Sequence, residues 1–250
     1  PLLLAGVLAL TLIVADVQFG FTTSAGPDAI RMMTFNVFYR SKEMPHVAKF
    51  IREERLDLVV LQEHKPGSRS PLDSLKQALP DWHFAEAGDV VIMSRWPLAA
   101  VKSFPMQSLA GREILSVEVV GPRRFRVVGA HWSSVQIKQG WRGMVKATKT
   151  TALDIEVTKR ALGEGSALPT ILAGDFNATQ RHPAFRELRG WENAFDARGM
   201  GLGSTFSVAY RLVRIDHIFV NSRFKTCECH VGPDFGSDHL PLLATIDYRD

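Results

Sequence analysis

Again and again in this chain an apolar run stops on a side chain that can carry a charge or donate a hydrogen bond. TFN ends at Asn36, VVLQE at Glu63, VVGAHW holds His131, and TILAGDFN delivers Asp175 and Asn177. Asp216 sits inside VRIDHIF, and Asp238 with His239 opens GSDHLPL. Short apolar runs of this kind read as buried strands. Polar groups collected at strand ends and facing one crevice are what an α/β active site requires.

Around these runs, strands and helices interleave from Ala29 onward. AIRMMTFNVF predicts a strand ending near Asn36, and LDLVVLQE one ending at Glu63. SKEMPHVAKFIREER predicts a helix with Pro45 in its first turn and an apolar stripe of Val47, Phe50 and Ile51. SPLDSLKQALP predicts another, with Ser70 as N-cap, Pro71 in the first turn and Pro80 beyond its end. WHFAEA, DVVIMSR, LAAVKSF, EILSVEVV and RFRVVGAHW are β-like runs, and GPRR between the last two is a hairpin signal. A long helix follows from about Trp141 to Leu162, closed by Gly163; HPAFRELRG predicts a short one. STFSV, VRIDHIFV, KTCECHV and PLLATIDY return to strands. Hairpins need one another as partners and amphipathic helices need a sheet face to cover, so the mixture predicts a strand-rich α/β sandwich. No Pro/Gly-rich linker divides the chain after Ala29, which predicts one catalytic-size domain over 29–250.

The N-terminus is the compositional outlier. PLLLAGVLALTLIVADVQFG carries no charge before Asp16, and FTTSAGPDA after it is small and turn-prone. Residues 1–20 are expected to be the remnant of a transmembrane helix or secretory signal, and 21–28 a linker. That predicts a membrane-anchored or exported protein, or a cytoplasmic one if the apolar segment belongs to the fold. The net charge of +4 and pI near 9.2 favour the approach of an anion without demonstrating a nucleic-acid partner. Cys227 and Cys229 are expected to face the same side of a strand, which is awkward for bonding each other, and they have no zinc spacing. GMGLGS, Gly199 to Ser204, lacks the dinucleotide fingerprint and is expected to be a loop near the site entrance. No G-x-S-x-G elbow and no G-x-x-x-x-G-K-[ST] loop occurs, against serine-hydrolase and nucleoside-triphosphatase readings.

The ordered blocks TFNV, LQE, IMSRWPL, GREILSVEV, the strand-final His131, GDFN, RIDHIF and GSDHLPL resemble the endonuclease/exonuclease/phosphatase superfamily, the DNase I-like fold, from about Ile30 to Tyr248. The resemblance implies a four-layer α/β (α+β) sandwich of two packed mixed β-sheets flanked by helices. It also implies hydrolysis of a phosphate ester with a divalent metal: Mg2+, with Mn2+ or Ca2+ as substitutes. Glu63 is then the direct metal ligand, with Asn36 beside it and Asp238 completing the set; oxygen donors of this kind suit a hard cation.

Asp175 would orient or deprotonate the attacking water. Asn177 would donate to a phosphoryl oxygen without adding charge near an anion. His239 with Asp216 behind it, and His131, would act on the phosphoryl or leaving oxygen. Arg112 would meet substrate phosphate through its guanidinium fork. An Asx turn at Asp175–Asn177 or a solvated strand-end Glu63 explains single residues but not the whole set.

A phosphodiesterase or nuclease acting as a monomer is the expected function. A phosphomonoesterase and a sphingomyelinase-like lipid phosphodiesterase are the alternatives, and nucleic acid, phospholipid or a small phosphate ester the candidate substrates. An inactive binding module of the same fold would leave gaps in the set, and none is present. Lys138, Arg142, Lys146 and Lys149 read as a charged outer helix face ahead of a path for anionic substrate, and Trp132 and Trp141 as residues that stack on a base, dip into lipid or only pack.

Overall fold

A computed structural model of the chain describes residues 17–39, 43–64, 71–134, 140–163, 167–206, 208 and 213–249; for residues 71 and 140–148 it describes only the backbone. Two six-stranded mixed sheets face each other. The first contains β2 (Ile30–Asn36), β3 (Leu58–Gln62), β4 (His83–Ala87), β5 (Val90–Ser94), β13 (Phe224–Val231) and β14 (Leu242–Tyr248), in the order β13-β14-β2-β3-β5-β4. The second contains β6 (Leu98–Pro105), β7 (Glu113–Val120), β8 (Arg124–His131), β9 (Thr170–Asp175), β10 (Glu192–Asn193) and β12 (Asp216–Val220), in the order β10-β12-β9-β8-β7-β6. Each sheet has one parallel pair at its centre, β2 with β3 and β8 with β9, flanked by antiparallel neighbours. A two-stranded ribbon of β1 (Gln18–Phe19) and β11 (Met200–Gly201) lies apart from both.

Helices α1 (Met44–Glu53) and α2 (Pro71–Ala78) cover the first sheet. Helix α3 (Gly140–Leu162) and a 3-10 helix (Pro183–Leu188) cover the second. A short α4 (Ala194–Arg198) packs on β12 and β13. Three apolar layers separate these four. Val47, Ile51, Leu72 and Leu75 meet Met33, Phe35, Val59 and Leu61 on one side, and Ile155, Ala161 and Leu188 meet Val128 and Leu172 on the other. Between the sheets lie Met32, Val60, Ile92, Val117, Phe125, Val127, Ile171 and Ile218. The expected four-layer sandwich is therefore the fold.

The pleat positions the site. Alternate residues of a strand face one side, so the inter-sheet face of β2 reads Ile30, Met32, Thr34, Asn36, and that of β3 reads Leu58, Val60, Gln62. On β8 it is Phe125, Val127, Gly129, His131, and on β9 Ile171, Ala173, Asp175; β12 runs the other way and starts on Asp216. Each column is apolar at one end and polar at the other, and the polar ends coincide. His131 and Asp216 both lie opposite Asp175 in register, as Asn36 does to Gln62. Two glycines permit this stacking. A Cβ on Gly174 (φ +154) would lie 1.9 Å from the Ala130 carbonyl oxygen, and one on Gly129 would meet Val90 Cγ1 at 2.8 Å across the core.

Several expectations need correction. STFSV does not form a strand: Phe206 makes isolated bridges to Val213 and His239, and Ser207 lies outside the described residues. The polar Ser204–Thr205 stretch bonds the strand ends instead of a neighbouring strand. Cys227 and Cys229 do not share a side. A register shift between Thr226 and Glu228 breaks the alternation, so Cys229 joins the inter-sheet core while Cys227 Sγ faces the Ser24 carbonyl at 3.6 Å. GMGLGS is not merely a loop, since Met200–Gly201 is β11. Residues 21–28 are coil, yet Thr23 N–H donates to Cys227 O and Gly26 N–H to Asp247 Oδ2, which tie them to the sheet edge. Ser70 and Lys138 lie outside the described residues, as do the side chains of Trp141, Arg142 and Lys146. Trp132 is fully buried and donates to Thr158 Oγ1, so it packs. No described helix is long and apolar enough to cross a membrane, and residues 1–16 are outside that statement.

His217 beside the site is a buried, neutral ring. Its Nε2 donates to Ala178 O at 2.9 Å and its Nδ1 accepts from the Asn193 amide at 3.2 Å. Burial, reinforced by Arg214, pushes this imidazole down to about 3 from 6.5. The unfolded chain therefore takes up a proton first as pH falls. Stability from this ring is complete above pH 6.5 and is lost progressively as pH drops toward 3. Urea melts are expected to show the parent losing about 2 kcal/mol more than His217→Gln between pH 6.5 and about pH 5; equal losses would contradict the assignment.

Candidate active site

Where the polar ends meet, Asp175 is the hub. It is 1% exposed. Its Oδ1 accepts from Asn177 N–H at 2.8 Å, and its Oδ2 accepts from Asn36 Nδ2 at 3.0 Å across the gap between the sheets. Two imidazoles converge on the same Oδ2, His131 Nε2 at 3.6 Å and His239 Nε2 at 3.7 Å. Burial and the neighbouring Asp216 raise the Asp175 carboxyl above its usual range, although both histidines oppose this.

Each histidine is held by a carboxylate from the opposite sheet. His239, in the loop before β14, places Nδ1 2.8 Å from Asp216 Oδ2 at the start of β12. His131, at the end of β8, places Nδ1 2.7 Å from Asp89 Oδ2 in the β4–β5 turn. Burial works against charge on His239, but Asp216, Asp175 and Asp238 outweigh it and raise the ring to about 10, so it is an imidazolium at neutral pH. Burial also works against charge on Asp89, but the His131 hydrogen bond and the Arg112 guanidinium outweigh it and hold the carboxyl below its usual range. An ionised Asp89 can only accept, so His131 donates to it from Nδ1 and turns Nε2 into the crevice. That buried Nε2 has no hydrogen-bond partner among the described residues.

The backbone bends sharply around this hub. Glu63 (φ +56) and Asn177 (φ +47) lie immediately beyond strand ends in the left-handed region, as do Phe38 and Tyr39. For residues other than glycine this conformation costs of order 1 kcal/mol or more and recurs at functional sites. It swings Glu63 off β3 so that Oε1 comes 3.7 Å from His131 Nε2, and Tyr39 N–H fixes the turn by donating to Glu63 O.

Asn36 Oδ1 accepts from Phe38 N–H and keeps a second lone pair. Ser237 Oγ donates to Asn36 O and accepts from His239 N–H, tying β2 to the His239 loop. Asp238, next in that loop, has an Oδ1 without a partner among the described residues.

Glu63, Asn36 and Asp238, the metal ligands expected from the sequence, each offer a side-chain oxygen of the kind a hard divalent cation takes, and an orphaned Asp238 Oδ1 fits such a role. Asp175, Asp216 and His239 also bring one ligand atom each within 4.8 Å of one another. That trio suits a cation less well, because the His239 Nδ1 is committed to Asp216 and nitrogen is a poor donor to magnesium or calcium.

Two predicted phosphate-binding groups are engaged within the protein. Asn177 Nδ2 donates to Trp132 O at 2.9 Å and approaches Asp175 Oδ2 at 3.4 Å. Arg112 NH1 donates to the same Trp132 carbonyl at 2.5 Å, and its Nε lies 3.6 Å from Asp89 Oδ2. Both still border the crevice, gathered at the end of β8. The sequence reading missed Asp89, Ser237 and Thr205, whose hydroxyl accepts the N–H groups of Ile215 and Asp216.

Comparison with curated proteins finds no match. Among solved structures, a 3'-5' exonuclease from Neisseria meningitidis superposes with a TM-score of 0.69 at 20% identity, covering 88% of this chain and 100% of that one. A mannosyl-6-phosphatase from Bacteroides thetaiotaomicron gives 0.64 at 18% identity, over 88% and 100% of the two chains. An endonuclease/exonuclease/phosphatase from Beutenbergia cavernae gives 0.68 at 21%, over 88% and 72%. At such identities these likenesses speak to fold alone. The model of the Endonuclease/Exonuclease/phosphatase family matches residues 33–239, which span the site from β2 to His239. The chain belongs to the endonuclease/exonuclease/phosphatase family, whose members are phosphoric ester hydrolases.

Proposed function

We propose that this chain is a divalent-metal-dependent phosphodiesterase that cleaves a P–O bond by direct, in-line attack of water. The observation that carries this reading is the convergence of two histidine–carboxylate pairs on one oxygen of the buried Asp175. Asp175 accepts the proton of the attacking water. His239, held as a donor by Asp216, neutralises charge gathering on a non-bridging oxygen. His131, its Nδ1–H held by Asp89, presents a protonated Nε2 to the leaving oxygen and gives it the proton that the departing alkoxide takes up. Asn177 and Arg112 reach a phosphoryl oxygen by giving up the Trp132 carbonyl they share. Glu63, Asn36 and Asp238 would hold the cation, Mg2+ first and Mn2+ or Ca2+ as substitutes. A cation there supplies Lewis-acid stabilisation of phosphate charge. Water is the nucleophile and no covalent enzyme intermediate is required.

The diester reading follows the family resemblance at His131, since a diester and a monoester alike expel an alkoxide that an imidazole at the leaving oxygen can serve. The substrate class among nucleic acid, phospholipid and small esters is read by the loops around Phe38, Tyr39 and the crevice rim. Similarity to an exonuclease and to a sugar phosphatase keeps both chemistries within this fold.

Two experiments test the assignment. With bis-p-nitrophenyl phosphate and Mg2+, His239→Ala is expected to lower kcat by at least about 10²-fold in the folded enzyme and, by leaving the buried Asp216 carboxylate without its imidazole, to lower Tm as well. Turnover equal to the parent's would remove the site. Glu63→Gln is expected to raise the Mg2+ concentration for half-maximal activity by at least about tenfold and to abolish the Mg2+-dependent rise in Tm. EDTA should silence the parent, and unchanged turnover in EDTA would contradict metal dependence.

A further inference from the structure

The ribbon of β1 and β11 is built inside out. Phe19 pairs directly with Met200, and Gln18 with Gly201. By the two-residue alternation Phe19 and Phe21 share one face, and so do Met200 and Leu202. These four side chains are 61%, 74%, 59% and 46% exposed, four of the ten large hydrophobic residues exposed among those described. The opposite face is glycine. A Cβ on Gly199 or Gly203 would strike the Phe195 ring, at 2.5 and 2.3 Å, and one on Gly20 would fall 2.4 Å from the Arg198 backbone. The GMGLGS sequence therefore presses Gly199 and Gly203 onto α4, leaves open space at Gly201, and turns its large apolar residues outward. A ribbon whose only neighbour were water would gain by the reverse arrangement.

We propose that this outward face is a lipid-binding surface that seats the domain on a bilayer. The sequence that leads into it identifies the occupant. Residues 1–15, PLLLAGVLALTLIVA, lie before the described part of the chain, carry no charge, and run into β1 two residues after Asp16. The longest uncharged apolar stretch of the sequence thus leads into a ribbon that exposes four large hydrophobic side chains. Ribbon side chains of this size reach the headgroup–acyl boundary, where Phe and Leu bind without crossing. Docking here also orients the crevice. Three residues beyond Leu202, Thr205 holds the backbone of Asp216 through its hydroxyl, so the ribbon runs directly into the site wall. The inference is independent of the hydrolytic reading, because it rests on another face of the molecule.

The full chain carries only buried cysteines, Cys227 and Cys229, 1% and 3% exposed, so an introduced thiol is labelled selectively. Leu202→Cys carrying an environment-sensitive fluorophore is mixed with vesicles of phosphatidylcholine and phosphatidylglycerol whose acyl chains bear bromine. Quenching at Leu202→Cys is expected, with none at Val101→Cys on β6, an equally exposed apolar position. In the unlabelled chain, Phe19→Ser with Met200→Ser is expected to lower vesicle partitioning by about tenfold. Three results would overturn the proposal. The chain binds no vesicles; it binds while the Leu202→Cys label stays in water, showing that residues 1–15 act alone; or the label is already shielded without lipid. In the last case, dependence on protein concentration identifies a second copy, and its absence the chain's own N-terminal stretch.

Discussion

A carboxylate buried as deeply as Asp175 needs partners, because removing an unpaired charge from water costs several kcal/mol or more. The structure supplies them from both sheets: Asn36 from the first, the Asn177 backbone from the second, and an imidazole from each. Those imidazoles are fixed in turn by Asp216 and Asp89, each drawn from the sheet its histidine does not belong to. The polar cluster therefore bonds the sandwich across its middle at one end, and apolar side chains fill the rest. Loss of one member would leave a buried partner unsatisfied, so stability and chemistry share residues here.

How much of this was legible in the sequence follows from the period of a strand. Asn36, His131 and Asp175 could be read as strand-final polar residues because the apolar residues at i−2 and i−4 mark the same face. Glu63 was legible as the polar end of VVLQE, yet it lies one residue past β3 and reaches the crevice through a left-handed backbone that no spacing encodes. Asp89 escaped notice because it precedes an apolar run instead of ending one. Its role depends on β5 pairing antiparallel beside β3, a long-range fact. Ser237 and Thr205 act through hydroxyls bonded to distant backbone, which no local pattern encodes. The STFSV misreading has the same origin: β-favouring residues were spent on isolated bridges that buttress His239 and Asp216.

The ribbon shows the opposite case, a pattern visible in the sequence but without meaning until placed. Alternating glycines in GMGLGS fit no nucleotide motif, and only contact with Phe195 shows why side chains are excluded at Gly199 and Gly203. Residues 18–23 are held by β11 and by Cys227 of β13, so the segment that follows the apolar N-terminal sequence forms part of the same surface. Site and surface lie at the two ends of one short connection through Thr205.

Asp175→Asn tests the central claim most directly, since it preserves shape and removes only the proton acceptor. The account predicts a folded protein with the parent's Mg2+-dependent rise in Tm and a kcat on bis-p-nitrophenyl phosphate reduced by at least about 10²-fold. A folded Asp175→Asn enzyme turning over at the parental rate would contradict it.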